Sequence, residues 1–293
     1  MKNLTKQNVI GFIGTGVMGK SMAGHILEAG FPLVVYNRTK EKALDLIHNG
    51  AKWVDTPQEV AEASDVVITI VGYPSDVEEL YLGENGILKH MKQGSVALDM
   101  TTSSPKLAAE IFKKGMDKGI SILDAPVSGG DIGAKEARLS IMVGGDEESF
   151  ELAKPLLDRL GSNVVYQGKA GSGQHTKMCN QIAIASNMMG VTEALLYAKK
   201  SGLNPENVLK SITSGAAGSW SLSNLVPRMI EEDYAPGFYI KHFIKDLKIA
   251  LDSAKDMELR TPGLELALSL YEELAMNGEE NSGTQALIKL LEH

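Results

Sequence analysis

The stretch Val9-Ile-Gly-Phe-Ile-Gly14-Thr-Gly16-Val-Met-Gly19 decides how the first half of this chain folds. Its apolar start, Val9–Ile13, reads as a strand buried on both faces. Lys20 to Ala29 reads as a helix closed by Gly30. Between them the glycines follow the spacing G-x-G-x-x-G in a strand-turn-helix context. The first permits a tight turn, the second lets a pyrophosphate approach the backbone, and the third lets the helix pack close on the strand. Free N–H groups at the helix start then face the phosphates. Gly14, Thr15, Gly16, Val17, Met18 and Gly19 are therefore the candidate dinucleotide loop. A ligand-free glycine turn would share the spacing, but the next strand, Leu33–Tyr36, completes the binding unit.

Working outward, short apolar runs alternate with helix-type segments as far as about residue 168. Strands are expected at Val9–Ile13, Leu33–Tyr36, Val66–Val71, Ser95–Asp99, Ser121–Asp124, Ser140–Val143 and Asn163–Gln167. This alternation predicts an α/β fold with a Rossmann-type, doubly wound, mainly parallel sheet. After the cluster Gly168, Gly171 and Gly173 the pattern changes. A run from about Gln174 to Ser201 holds no proline and one glycine, and predicts a long helix ended by Gly202. Its middle, Ile182 to Ala198, is apolar on nearly every side, which predicts burial between domains or subunits. Asn204-Pro205 reads as a cap with proline at the first helical position, and the segments beyond it predict an all-α second domain. From Lys241 to Leu259, Phe243, Leu247, Ala250, Ala254 and Met257 recur at helical spacing and should form a buried stripe, with Lys245 and Asp246 outside it. The expected division is a dinucleotide domain over 1–170 and a helical domain over 171–293 that includes the connecting helix, at about 174–201.

The length of 293 residues, about twice that of a common single domain, fits this division. A net charge of −8 without a cationic stripe argues against nucleic-acid partners. No apolar run reaches the roughly 18 residues of a membrane span. Cys179 is the sole cysteine, so no intrachain disulfide forms and a cytoplasmic setting is expected. Cys179 should be a small buried residue, and no cysteine–histidine cluster points to a metal. The expected partner is a small molecule.

The end of the second strand, Tyr36-Asn37-Arg38-Thr39, addresses which dinucleotide binds. An NAD site usually places Asp or Glu here on the ribose 2′-hydroxyl, and that carboxylate would repel a 2′-phosphate. Asn37 stands in its place. Arg38 offers a forked cation and Thr39 a hydroxyl donor, which together favour NADP, with NAD as a weaker possibility. An exposed arginine at a strand end would fit the same residues.

Four ordered motifs then carry a resemblance over essentially the whole chain: Gly11-Phe-Ile-Gly-Thr-Gly-Val-Met-Gly19, Asp124-Ala-Pro-Val-Ser-Gly-Gly130, Gly171-Ser-Gly-Gln-His-Thr-Lys177-Met-Cys-Asn180, and Lys245-Asp246-Leu247. The sequence resembles the β-hydroxyacid dehydrogenase family, which includes 3-hydroxyisobutyrate dehydrogenases, tartronate semialdehyde reductases and glyoxylate/succinic semialdehyde reductases. The resemblance implies an active site between a Rossmann domain and an all-α domain. It also implies Lys177 as the catalytic lysine, Asn180 as a substrate-binding partner, Ser128, Gly129 and Gly130 as the hold on the substrate carboxylate or hydroxyl, and Thr102 and Lys245 as cofactor contacts. Gln181 departs from the second Asn of many members, which bears on the substrate.

The residues agree on their own terms. Lys177 and Asn180 stand three apart near a helix start and project from one face. Alcohol oxidation needs a base for the hydroxyl proton, and the reverse reaction needs an acid there. A lysine serves if burial and the positive end of a helix lower its pKa. Ser128-Gly129-Gly130 follows a strand end, where ligands of open parallel sheets bind. His175 falls on another helical face and reads as structural. Met188 and Met189 are candidates for a subunit contact, and Trp220 either closes the pocket or joins the core. The expected function is NADP-dependent interconversion of a small 3-hydroxy acid and its semialdehyde by a homodimer or homotetramer. A non-catalytic dinucleotide sensor and an imine reductase on the same fold are the alternatives; Lys177 with Asn180 counts against the first, and imine reductases usually lack the lysine.

Overall fold

In the computed structural model, which describes residues 3–292, the chain divides into two compact units at the Lys177–Met178 bond. Among the described residues the first unit holds a nine-stranded sheet, in the order β3-β2-β1-β4-β5-β6-β8-β7 with β9 also on β8. The strands are β1 (Ile10–Ile13), β2 (Leu33–Tyr36), β3 (Lys52–Trp53), β4 (Val66–Thr69), β5 (Val96–Asp99), β6 (Ser121–Asp124), β7 (Val127–Ser128), β8 (Leu139–Gly145) and β9 (Gly161–Gly168). Pairing is parallel from β3 through β6 and between β8 and β9, while β8 runs antiparallel to β6 and β7. The seven expected strands are present, Leu33–Tyr36 and Ser121–Asp124 with the expected bounds and the other five with shifted ends. The two-residue strands β3 and β7 are too short to show any periodicity.

Alternation along β1 explains the layering. Ile10 and Phe12 join one core with Met22, Ile26 and Leu98, whereas Ile13 joins the opposite core with Val60, Val67 and Ile111. On that second face Gly11 has no room for a side chain: a Cβ there would stand 2.5 Å from Val60 Cγ1 and Ser64 Oγ. The chain runs from β1 outward to β2 and β3, then returns to the other side of β1 at β4. The glycine loop after β1 thus sits at the point where strand order reverses, where open α/β sheets bind ligands.

In the second unit the described residues form helices, joined by one isolated bridge between Tyr239 and Gly283. The long helix spans Ser172–Lys200 and so crosses the boundary between the units; Gly202 follows it at φ 75°. Asn204 caps the next helix, Pro205–Ile212, through the Asn207 N–H. The helix Ile240–Asp256 buries Phe243, Leu247, Ala250 and Ala254 as expected. Two expectations fail there. Met257 lies past the helix end and is 57% exposed, while Asp246 is 1% exposed. Asp246 is three residues after Phe243, and a packed helix buries a stripe wide enough to include that position.

Within the single chain the long helix buries one side and leaves another exposed. Ala185, Met188, Val191, Leu195 and Ala198 are buried, but Ala183, Ser186, Gly190, Glu193 and Tyr197 form an exposed line at alternating spacings of three and four. Cys179 extends this line and is exposed, not buried. Met188 is core, and exposed Trp220 is not. No helix among the described residues is long and apolar enough to cross a membrane.

Candidate functional site

The three loop glycines divide their roles by what a side chain would meet. A Cβ on Gly14, whose φ is 102°, would lie 2.1 Å from the Ile70 carbonyl oxygen. One on Gly19 would lie 1.9 Å from the Gly14 carbonyl oxygen. Both close approaches hold the helix Val17–Glu28 against the strands. At Gly16 a Cβ would meet nothing within 4 Å, so the protein itself does not require glycine there. Open space above a helix N-terminus is what a pyrophosphate needs. Beside it, Thr15 Oγ1 is buried without a hydrogen-bond partner, a group that a ligand oxygen would satisfy.

Asn37 braces this loop. Its Oδ1 accepts the Thr15 N–H at 3.0 Å and its Nδ2 donates to the Thr39 carbonyl at 2.8 Å. An aspartate would accept from Thr15 but could not donate to Thr39. The absent carboxylate therefore has a structural cause. Arg38 is exposed and lies 3.4 Å from Asp76. An ion pair so exposed contributes little, which leaves the guanidinium available to a phosphate. Thr39 is exposed beside it.

At the carboxyl edge, Asp99 and Asp124 face each other across β5 and β6. Both are 4% exposed. Burial pushes the Asp99 carboxyl up to about 6, opposed by hydrogen bonds from Thr101 and Thr69 and reinforced by the charge of Asp124. Burial also pushes Asp124 up to about 6, against hydrogen bonds from the Gly171 and Gln174 N–H groups. Those two bonds, 2.8 Å and 2.9 Å, make Asp124 a cap for the start of the long helix although it lies 47 residues earlier than Gly171. Gly144 and Gly173 make room for it, since a Cβ on either would stand within 3 Å of the carboxylate.

Gln174, 0% exposed, ties the same helix start to the loop after β5. Its Oε1 accepts the Ser103 N–H at 2.9 Å and its Nε2 donates to the Thr101 carbonyl at 2.7 Å. Thr102 lies between these two anchors. Lys177 follows one turn later and is 6% exposed. Ser128 ends β7, and Gly129 and Gly130 continue at φ 129° and 64°, a backbone that glycine adopts without strain. Sequence reasoning missed Asp124 and Gln174 as the residues that fix this edge, because their partners are distant in sequence. Asp124 was legible only as a motif letter.

Within the second unit, Asn180 and Lys245 are joined through Gln181 and Asp246. Asn180 Nδ2 donates to Gln181 Oε1 at 2.8 Å, and Gln181 Nε2 donates to Asp246 Oδ2 at 2.6 Å. Lys245 Nζ pairs with Asp246 Oδ1 at 2.9 Å, an ion pair by distance without an aligned hydrogen bond to that oxygen. His175 is exposed. No group of three or more His, Cys, Asp or Glu among the described residues could hold a metal.

Residues 9–168 match the NAD binding domain of 6-phosphogluconate dehydrogenase, and residues 171–291 match the domain described as NAD-binding of NADP-dependent 3-hydroxyisobutyrate dehydrogenase. The chain belongs to the β-hydroxyacid dehydrogenase family. A probable 3-hydroxyisobutyrate dehydrogenase-like protein of Arabidopsis thaliana is 50% identical over 97% of this chain and 85% of its own length. The 2-hydroxy-3-oxopropionate reductase of Escherichia coli is 41% identical, covering 97% of each. Among solved structures, Mycobacterium tuberculosis 3-hydroxyisobutyrate dehydrogenase with L-serine superposes with a TM-score of 0.89 at 28% identity, over 98% of this chain and 100% of that one. Psf3, solved in complex with NADP+ and 2-OPP, gives a TM-score of 0.89 at 26% identity over 96% of this chain and 99% of that one. This β-hydroxyacid dehydrogenase is thus an NAD(P)-dependent enzyme acting on hydroxy acids.

Proposed function

We propose that the enzyme prefers NADP and interconverts a small 3-hydroxy acid with its semialdehyde, with Lys177 as the proton-transfer group. The observation that carries this reading is the buried lysine one turn into a helix whose start is pinned from two directions, by Asp124 and by Gln174. A catalytic acid or base needs a fixed position more than it needs reach.

Gly14 through Gly19 hold the dinucleotide, with Thr102 and Lys245 as further contacts. Asn37 sets the loop, and Arg38 with Thr39 meets the 2′-phosphate. The bound nicotinamide supplies the hydride acceptor or donor. In oxidation Lys177 Nζ takes the hydroxyl proton as the carbonyl forms; in reduction it returns a proton to the same oxygen. Ser128 and the N–H groups of Gly129 and Gly130 hold the substrate carboxylate, and Asn180 orients the substrate beside Lys177. The sensor alternative leaves Lys177 and Asn180 without a task.

The test is Lys177→Ala beside the near-isosteric Lys177→Met. Both should lower turnover by roughly 100- to 10,000-fold, the usual share of a positioned acid or base, while NADPH affinity and melting temperature stay near wild type. Wild-type turnover in either variant refutes the assignment. A panel of semialdehydes and hydroxy acids, run with both cofactors, identifies the substrate and the preference.

A further inference from the structure

We propose that Gln181 is a positioning residue that fixes the polarity of the Asn180 amide, so that Asn180 offers its carbonyl oxygen to a hydrogen-bond-donating substituent of the substrate. The inference rests on the reading above that Asn180 touches substrate.

The constraint begins at Asp246. Its carboxylate is 1% exposed, with the Lys245 ammonium 2.9 Å from one oxygen. A carboxylate accepts hydrogen bonds and cannot donate them. Whatever atom of Gln181 stands 2.6 Å from the other oxygen must therefore be its NH2 group. Gln181 is itself 1% exposed, so solvent cannot satisfy a reversed amide, and two oxygens at that separation would repel. The orientation of Gln181 then leaves only its carbonyl for Asn180. By the same rule the Asn180 atom 2.8 Å away is Nδ2, and Oδ1 is the end turned away from Gln181.

Donor and acceptor roles thus propagate from a buried charge through two amides to a half-buried residue at the site. Glutamine is required at the middle position. Asparagine is one methylene, about 1.5 Å, shorter, which would stretch the contact with Asp246 beyond hydrogen-bonding range. A free asparagine amide can turn either end to a ligand, but this one cannot without losing its bond to Gln181 or reversing Gln181 against the Asp246 carboxylate. Its fixed Oδ1 favours a substrate that carries a hydroxyl or ammonium donor beside the reacting carbon over one that carries a methyl there. It also repels a carboxylate from that position.

The experiment compares kcat/KM for two semialdehydes that differ at that carbon, one hydroxyl-substituted and one methyl-substituted, together with NADPH affinity. In Gln181→Met the preference for the hydroxyl compound should fall about tenfold or more, while NADPH affinity stays within about twofold of wild type. The double variant Gln181→Glu/Asp246→Asn exchanges the roles: the amide introduced on the second helix would donate to the carboxylate introduced on the first, and that carboxylate would again accept from Asn180. It should restore the preference that Asp246→Asn alone loses, and it decides the matter if Gln181→Met fails to fold. An unchanged preference in Gln181→Met, or a double variant no better than Asp246→Asn, overturns the proposal. Asn180→Ala separates the two readings: if it leaves KM unchanged for both substrates, Asn180 does not touch substrate. If it raises KM while Gln181→Met has no effect, the fault lies in the relay alone.

Discussion

Asp99→Asn should stabilise the sheet-bearing unit at neutral pH, although it removes a buried charged group. The carboxyl is raised from 3.8 to about 6, first of all by burial. Between these values the unfolded chain has lost its proton while the folded chain keeps it. The native state therefore binds more protons, and stability falls as pH rises. The cost is absent below about pH 4 and complete above about pH 6; at 1.36 kcal/mol per unit it amounts to about 3 kcal/mol. Asparagine is isosteric, and both the Thr69 hydroxyl and the Thr101 N–H donate to Asp99 Oδ1, so its carbonyl keeps both bonds. Asp124→Asn is the built-in contrast, because its two oxygens each accept a different N–H and an NH2 group would confront one of them. Urea unfolding from pH 4 to 8 reads both. Wild-type stability should decline between pH 4 and 6. Asp99→Asn should flatten much of that decline and gain up to about 3 kcal/mol at pH 8, whereas Asp124→Asn should gain little or lose stability. An Asp99→Asn protein that is less stable than wild type at pH 8, or that keeps the full decline, refutes the reasoning.

Gly19→Ala should destabilise by roughly 1–3 kcal/mol through its clash with the Gly14 carbonyl, read as a lower melting temperature without cofactor. Gly16→Ala should leave that temperature unchanged and weaken dinucleotide binding measured by fluorescence titration. Arg38→Asp should cut NADP affinity about tenfold or more and shift the balance toward NAD, and equal or better wild-type efficiency with NAD would contradict the assignment. The exposed line Ala183, Ser186, Gly190, Glu193 and Tyr197 offers mostly small side chains for close helix approach, so sedimentation should find a dimer or tetramer, and a stable monomer at working concentration would dismiss that proposal.

The sequence by itself determined the doubly wound sheet, the long helix and the helical second unit. Each is written in local terms: alternating apolar runs, a proline-free stretch, and glycines spaced for a loop whose backbone must pass close to its neighbours. Gly14 and Gly19 were legible because a strand, a tight turn and a helix at that spacing leave no room for side chains at those two positions. The motif letters likewise marked Lys177, Asn180 and Lys245 as residues of interest. What surrounds them was decided by tertiary structure. Asp124 caps the start of a helix through Gly171, 47 residues later, and its charge meets Asp99 only because β5 and β6 pair in that register. Asp246 stood outside the expected buried stripe, but the helix Ile240–Asp256 packs with it inside. Cys179 passed for a core residue until the long helix kept one line of its surface exposed. A hydrogen bond depends on where two chain segments lie in space, and sequence separation carries no record of that distance once the fold closes.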